Sequence, residues 1–142
     1  KGSSSLAHLR LRLDGLGESL GVLFQLKDDD LGLFGSEEEL GKPVGSDIRE
    51  CKQTLLAHTL FRRAKPSERM RLKRIFGNPR ITPSMVEEVK ELVEALGVRR
   101  EMGARMRRLR RRALDGIAGF PEDSRSRRIL SDLVQFTIDR KK

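Results

Sequence analysis

The sequence predicts an all-α protein, a helical bundle, and three observations carry that reading. Apolar residues recur at spacings of three and four through most of the chain, as they do along one face of a helix. Pro66-Ser67 and Thr82-Pro83 start helices, and Gly77 and Gly97 stop them, at intervals of helix length. No segment alternates apolar and polar residues as a strand does, and neither an internal repeat nor a domain linker interrupts the pattern. The 142 residues suffice for a single domain with a real core.

Leu9, Leu13, Leu16, Leu20 and Leu23 form the first apolar stripe. Gly15, Gly17 and Gly21 interrupt it at about 1 kcal/mol each relative to Ala, so this helix needs tertiary support. Gly17 and Gly21 would admit the close approach of another backbone. Continuing the same helix, Gln25, Asp28, Asp29 and Gly32 fall at i, i+3, i+4 and i+7 and share a face. Residues 35–47 read as a loop rich in Gly, with a turn after Ser36. Asp47, with Glu50 behind it, is expected to cap a helix running through Thr54 and Leu55 towards Arg63. A short helix follows from Pro66 to the Gly77-Asn78-Pro79 turn, and the next carries Val86, Val89, Leu92, Val93 and Leu96. Met102, Met106, Leu109, Ala113 and Ile117 mark a fifth helix closed by Gly119-Phe120-Pro121, and Ile129 to Thr137 a last one. About six helices are expected in all.

Charged residues (36%) nearly equal hydrophobic ones (37%), the balance of a globular chain at its polar end. Cys51 is the only cysteine, which excludes an internal disulfide and points to a reducing compartment. No apolar run approaches the ~18 residues of a membrane span, and no signal peptide opens the sequence. A cytoplasmic location is the expectation. The net charge of +9 favours anionic partners without choosing among diphosphates, nucleic acid and lipid headgroups.

The chemistry concentrates in Phe24-Gln25-Leu26-Lys27-Asp28-Asp29, then Gly41-Lys42-Pro43-Val44-Gly45-Ser46-Asp47, then Lys52-Gln53-Thr54-Leu55. Adjacent carboxylates can share Mg²⁺ with a substrate's phosphates, and lysines supply point charges to the remaining oxygens. Each residue alone has a plainer reading. Asp28-Asp29 could be a solvated acidic patch, Lys42 and Lys52 surface lysines, Gln25 a buried amide and Phe24 ordinary core. His8 and His58 lack partners at ligand spacing and are read as structural. It is the order and spacing of the whole set that favours a diphosphate site.

That set resembles the second aspartate-rich motif and following loop of the trans-isoprenyl diphosphate synthases (the polyprenyl synthetase family), notably the short-chain farnesyl and geranylgeranyl diphosphate synthases. The resemblance implies the C-terminal half of a terpenoid-synthase-like fold. It further implies Mg²⁺ held by Asp28 and Asp29, with Asp47 acting at most through the metal's waters. Lys42 and Lys52 would hold the departing diphosphate, and Phe24 and Gln25 would lie on the substrate. The implied reaction ionises an allylic prenyl diphosphate, adds the cation to isopentenyl diphosphate and loses a proton, in an enzyme that is a homodimer when complete. No nucleic acid and no membrane span belong to this reading.

Two departures from the motif stand out. Gly32 replaces the usual third Asp, and Asp30 cannot serve instead because it points about 200° away from position 32. Cys51 stands where the family usually has Gly, and no chemistry is assigned to it. The first aspartate-rich motif and the basic pocket for isopentenyl diphosphate are not found. The expectation is therefore that residues 1–142 are an incomplete C-terminal portion, inactive alone, with product length unread.

Two other classes of function compete. Eight of the fourteen residues from Arg99 to Arg112 are Arg, and residues 67–96 outline a helix-turn-helix, so a nucleic-acid-binding module is one. Against it, Glu87, Glu88, Glu91 and Glu94 would repel phosphates where a recognition helix docks. The arginines surround an apolar stripe, as on a solvated helix face. A non-catalytic partner subunit of a complete synthase is the other.

Overall fold

The leucine spacing at the start of the chain produces α1, Gly2–Phe34, one uninterrupted helix of 33 residues. The computed structural model describes residues 2–41, 43–118, 120 and 125–139, with the side chains of 2–6, 39 and 40 outside that description. Among the described residues, no neighbour approaches Gly17 and Gly21, the glycines expected to admit another backbone. A Cβ at Gly15, Gly17 or Gly21 would meet nothing within 4 Å. Elsewhere in the first unit, a Cβ added at Gly116 would stand 4.0 Å from the Leu16 Cβ, an ordinary contact.

α1 closes where the Gly35 amide donates to the Leu31 carbonyl at 2.7 Å. The loop that follows holds two single turns, α2 (Glu37–Leu40) and α3 (Ser46–Arg49), the first beginning right after Ser36 as its sequence suggests. The expected capping by Asp47 is not what forms. Asp47 lies inside α3, and α4 (Leu55–Arg63) is a separate helix capped by Thr54, whose hydroxyl accepts from the Ala57 amide at 3.1 Å. Thr54 wins because it has the extended backbone of an N-cap directly ahead of Leu55. Between the two helices Cys51 takes a left-handed φ of 52°, which no helix can continue through.

α5 (Pro66–Ile75) has Pro at its first turn, and the Glu68 carboxylate accepts from the Lys65 amide at 2.7 Å. α6 (Pro83–Ala95) is capped by Thr82, and Gly97, at φ 65°, turns the chain into α7 (Val98–Ile117). The Phe120 amide caps α7 on the Ile117 carbonyl, while Gly119 and Pro121 of the expected closing turn lie outside the described residues. α8 is Arg125–Asp139. The described residues thus form eight helices and no strand, all-α as expected, the additions to the expected set being the single turns α2 and α3.

These elements cluster into two compact units. One takes the described residues within Lys1–Lys27 and Ala104–Arg140, around buried Leu16, Ala113, Ile117 and Val134. Its surface keeps apolar side chains exposed, among them Ile129, Leu133 and Phe136 on α8. The other takes Asp28–Gly103, where Leu60, Leu72, Val89, Val93 and Val98 are fully buried and Phe61 meets Phe76 edge to face at 5.1 Å. On α7 the side chains of Arg105, Arg107, Arg108, Arg110, Arg111 and Arg112 are exposed while Met102, Ala113 and Ile117 are buried. None of the helices, among the described residues, is long and apolar enough to cross a membrane.

Gly45 fixes the loop in the second unit. Its φ is 82°, and a Cβ there would stand 2.7 Å from a methyl of Val86. Gly45→Ala combines left-handed strain with overpacking and should cost about 2–5 kcal/mol. Urea unfolding of the variant checks this, and an unchanged midpoint would show that the loop does not depend on that glycine.

Candidate functional site

Asp28, Asp29 and Asp30 follow one another on α1 at ~100° steps, and so enter three environments. Asp30 turns to α7, where its Oδ1 accepts from Arg99 Nε at 3.0 Å. The same guanidinium donates to Glu94 at 3.0 Å and lies 3.8 Å over the Phe34 ring. Burial opposes the charge of Arg99, but the bonds from Asp30 and Glu94 outweigh it and hold its pKa above the ordinary value. Asp30 is therefore committed to a clamp on the end of α1. Asp28 is half-buried, and Asp29 is only 6% exposed.

Asp29 and Gly32 face the loop. The Gly45 amide donates to the Gly32 carbonyl at 3.2 Å, which seats α3 against this turn of α1. Asp47 is carried in with α3, and its Oδ2 would stand 3.2 Å from a Cβ at position 32. Lys52 then folds back on Asp47 twice. Its amide donates to the Asp47 carbonyl at 2.9 Å, and its Nζ reaches Asp47 Oδ1 at 2.7 Å and Glu50 Oε2 at 3.5 Å. The hydrogen bond to Asp47, chiefly, raises the Lys52 pKa above its ordinary value, so the ammonium stays charged throughout the neutral range.

Asp29, Gly32, Asp47, Lys52 and Thr54 line a cavity of about 20 Å³, walled on its apolar side by Leu33, Leu56, Phe76 and Val89. That volume admits about one water-sized occupant. A larger cavity of about 300 Å³ lies against the same loop, lined by Ser46, Arg49, Thr82 and Lys90 among others, but by none of Asp28, Asp29, Asp47 and Lys52.

The loop fold thus brings together three of the residues singled out by the sequence: Asp29, Asp47 and Lys52. Asp28 lies on the adjoining face of α1, outside the lining of the small cavity. Phe24 and Gln25 belong to the first unit and are exposed there. Lys42 lies outside the described residues. Sequence reasoning passed over Thr54 in this role and the clamp by Arg99. Thr54 could have been found from its place immediately ahead of a helical apolar run, but Arg99 stands 69 residues from Asp30 and carries no local signal.

Among the described residues, no group of three or more His, Cys, Asp and Glu side chains is close enough to hold a metal by itself. The donors present are hard carboxylate oxygens. They suit a cation such as Mg²⁺, which commonly takes one or two carboxylates and completes its shell with water and substrate phosphates.

Fold and site together define an all-α protein with a carboxylate-and-lysine centre at the junction of a long helix and a Gly-rich loop. Residues 4–96 match the Polyprenyl synthetase family, and the chain belongs to it. It is 33% identical over 134 residues to the geranylgeranyl diphosphate synthase of Saccharolobus solfataricus, an alignment covering 92% of this chain and 40% of that protein. A short chain isoprenyl diphosphate synthase of Methanocaldococcus jannaschii is 39% identical over 87 residues, 61% of this chain and 26% of that one. Among solved structures, a geranylgeranyl pyrophosphate synthetase from Pyrococcus horikoshii superposes with a TM-score of 0.82 at 32% identity, over 91% of this chain and 38% of its own. A Corynebacterium glutamicum geranylgeranyl pyrophosphate synthase, solved with isoprenyl diphosphate and magnesium, gives 0.82 at 30% identity, covering 91% and 37%. The chain therefore spans about two fifths of the length of these longer-matching relatives.

The clamp on α1 is testable without any ligand. Arg99→Ala removes two ion pairs and a ring contact from a partly exposed position and should cost roughly 1–2 kcal/mol. Arg99→Lys keeps the charge but not the planar fork and should recover only part of that. Chemical denaturation of the three proteins decides it, and an Arg99→Ala midpoint equal to wild type would contradict the clamp.

Proposed function

We propose that this chain is the C-terminal portion of a Mg²⁺-dependent short-chain prenyltransferase, one that condenses an allylic diphosphate with isopentenyl diphosphate to farnesyl or geranylgeranyl diphosphate. The observation that carries the proposal is the convergence of Asp29, Asp47 and Lys52 around one small cavity, in a chain of the polyprenyl synthetase family. Two structural relatives support the ligand class, the one with isoprenyl diphosphate and magnesium and another from Caulobacter crescentus with isoprenyl diphosphate and calcium.

In this reading Asp28 and Asp29 hold the cation together with the substrate's own phosphates. Bound there, Mg²⁺ supplies Lewis-acid polarisation of the diphosphate oxygens. Lys52, kept protonated by Asp47, and Lys42 stabilise the negative charge that grows as the allylic C–O bond breaks and its electron pair leaves with the diphosphate. The allylic cation is captured by the double bond of isopentenyl diphosphate, and loss of a proton restores an alkene. Phe24 and Gln25 are assigned to substrate contact on the family resemblance alone. Residues 1–142 are then an incomplete part of one synthase domain, inactive by itself, from a cytoplasmic enzyme that is dimeric when whole.

Binding and turnover test this separately. Pyrophosphate should bind the purified chain only with Mg²⁺, since phosphates and carboxylates repel each other without it. Asp28→Ala should weaken that binding far more than Asp30→Ala, because Asp30 is engaged with Arg99. Calorimetry giving equal affinities for the two variants would remove Asp28 from the metal site.

In the complete enzyme, Lys42→Ala and Lys52→Ala should each lose a charge-assisted contact of about 1.5–3 kcal/mol, roughly ten- to a hundredfold in rate. Lys27, on another face of α1, should matter less. Steady-state kinetics ranking Lys27→Ala as the most damaged would reverse the assignment.

A further inference from the structure

We propose that the cavity of about 300 Å³ between α3 and the start of α6 is a second ligand site, one that takes a small carboxylate with an aliphatic body. None of Asp28, Asp29, Asp47 and Lys52 lines it, so the site does not depend on the diphosphate reading.

The pointer to a ligand is Ser46. It lines the cavity and is only 5% exposed, yet among the described residues its hydroxyl has no hydrogen-bond partner. Its main-chain groups are both engaged, the amide donating to the Pro43 carbonyl at 3.3 Å and the carbonyl accepting from the Glu50 amide at 2.9 Å. The hydroxyl alone is left over. A buried hydroxyl without a partner is costly, and a ligand oxygen that accepts from it removes the cost. The volume is at the lower end of the range for small-molecule pockets. Gly45 lets the loop come down on Val86, which sets the two walls at a fixed distance.

The charges around the cavity favour an anion. α6 begins there with Thr82 and Pro83, and no acidic residue in its first turn offsets the positive end of the helix dipole. Arg49 comes in from α3, and Lys90 from α6 with its side chain only 26% exposed. Glu37 and Glu87 line the cavity too, but both are exposed to water, and Lys90 stands 3.5 Å from Glu87. The rest of the wall includes Val44, Ile81 and Val86. A bare inorganic anion would leave those side chains uncovered, whereas an aliphatic body buries against them.

NMR titration of the 142-residue chain, without Mg²⁺ or diphosphate, tests the site with hexanoate, hexylamine and hexanol. Hexanoate should shift the amides of Ser46, Arg49 and Lys90 saturably and bind at least tenfold more tightly than the other two. Ser46→Ala and Lys90→Gln should each weaken hexanoate roughly tenfold, the loss of one charge-assisted contact. Arg107→Gln, an equal change of charge on an exposed position of α7, should leave the affinity unchanged. Thermal melts confirm that each variant is folded, and Lys90→Gln decides if Ser46→Ala is not.

Hexylamine binding as tightly as hexanoate would overturn the assignment to a carboxylate. No saturable binding, shifts confined to other residues, or wild-type affinity in a folded Ser46→Ala or Lys90→Gln would overturn the site. So would an equal loss in Arg107→Gln, which would reduce the effect to net charge.

Discussion

The Gly45 amide donates to the Gly32 carbonyl at 3.2 Å, and the geometry of the centre depends on that tie between loop and helix. Oδ2 of Asp47 would stand 3.2 Å from any Cβ at position 32. The carboxylate brings Lys52 with it through an ion pair of 2.7 Å and a backbone hydrogen bond from its amide. Asp29 lines the same gap from α1. Two negative groups and one positive one are thus gathered where a helix and a loop meet, and Asp47 and Lys52 aim each other.

The loop reaches this position because its backbone adopts conformations that few residues tolerate. Gly45 is left-handed at φ 82° and is packed against Val86 too closely for any side chain. Cys51, at φ 52°, ends the path of α3 before Thr54 opens α4. A non-glycine residue in that region is strained, and its presence beside the candidate site suits a turn that the surrounding contacts over-determine. The tie from the Gly45 amide to the Gly32 carbonyl then joins the loop to the turn of α1 that presents Asp29.

Features decided by neighbours in sequence were legible from the sequence. The start of α5 at Pro66 and the Thr82-Pro83 opening of α6 are local signals, and the structure has them where the residues place them. The sharing of one face by Asp29 and Gly32 follows from helical geometry. Competition between two local signals was harder. Asp47 and Thr54 are both good caps, and the choice of Thr54 turned on the left-handed Cys51, which no propensity foretells. The meeting of Asp47 with Gly32, the commitment of Asp30 to Arg99 and the open surroundings of Gly17 and Gly21 are tertiary outcomes. They depend on which segments pack together, and no spacing rule encodes that.

The family assignment covers the helix and loop that make this centre, while the chain spans about two fifths of relatives such as the Saccharolobus solfataricus synthase. The central proposal is therefore that this segment holds a cation and a diphosphate. A crystal structure of the chain with Mg²⁺ and pyrophosphate tests that most directly. The account predicts that the metal would be held by Asp28 and Asp29 together with pyrophosphate, with Lys52 on a phosphate oxygen. Pyrophosphate bound elsewhere, with neither Asp28 nor Asp29 at the metal, would contradict it.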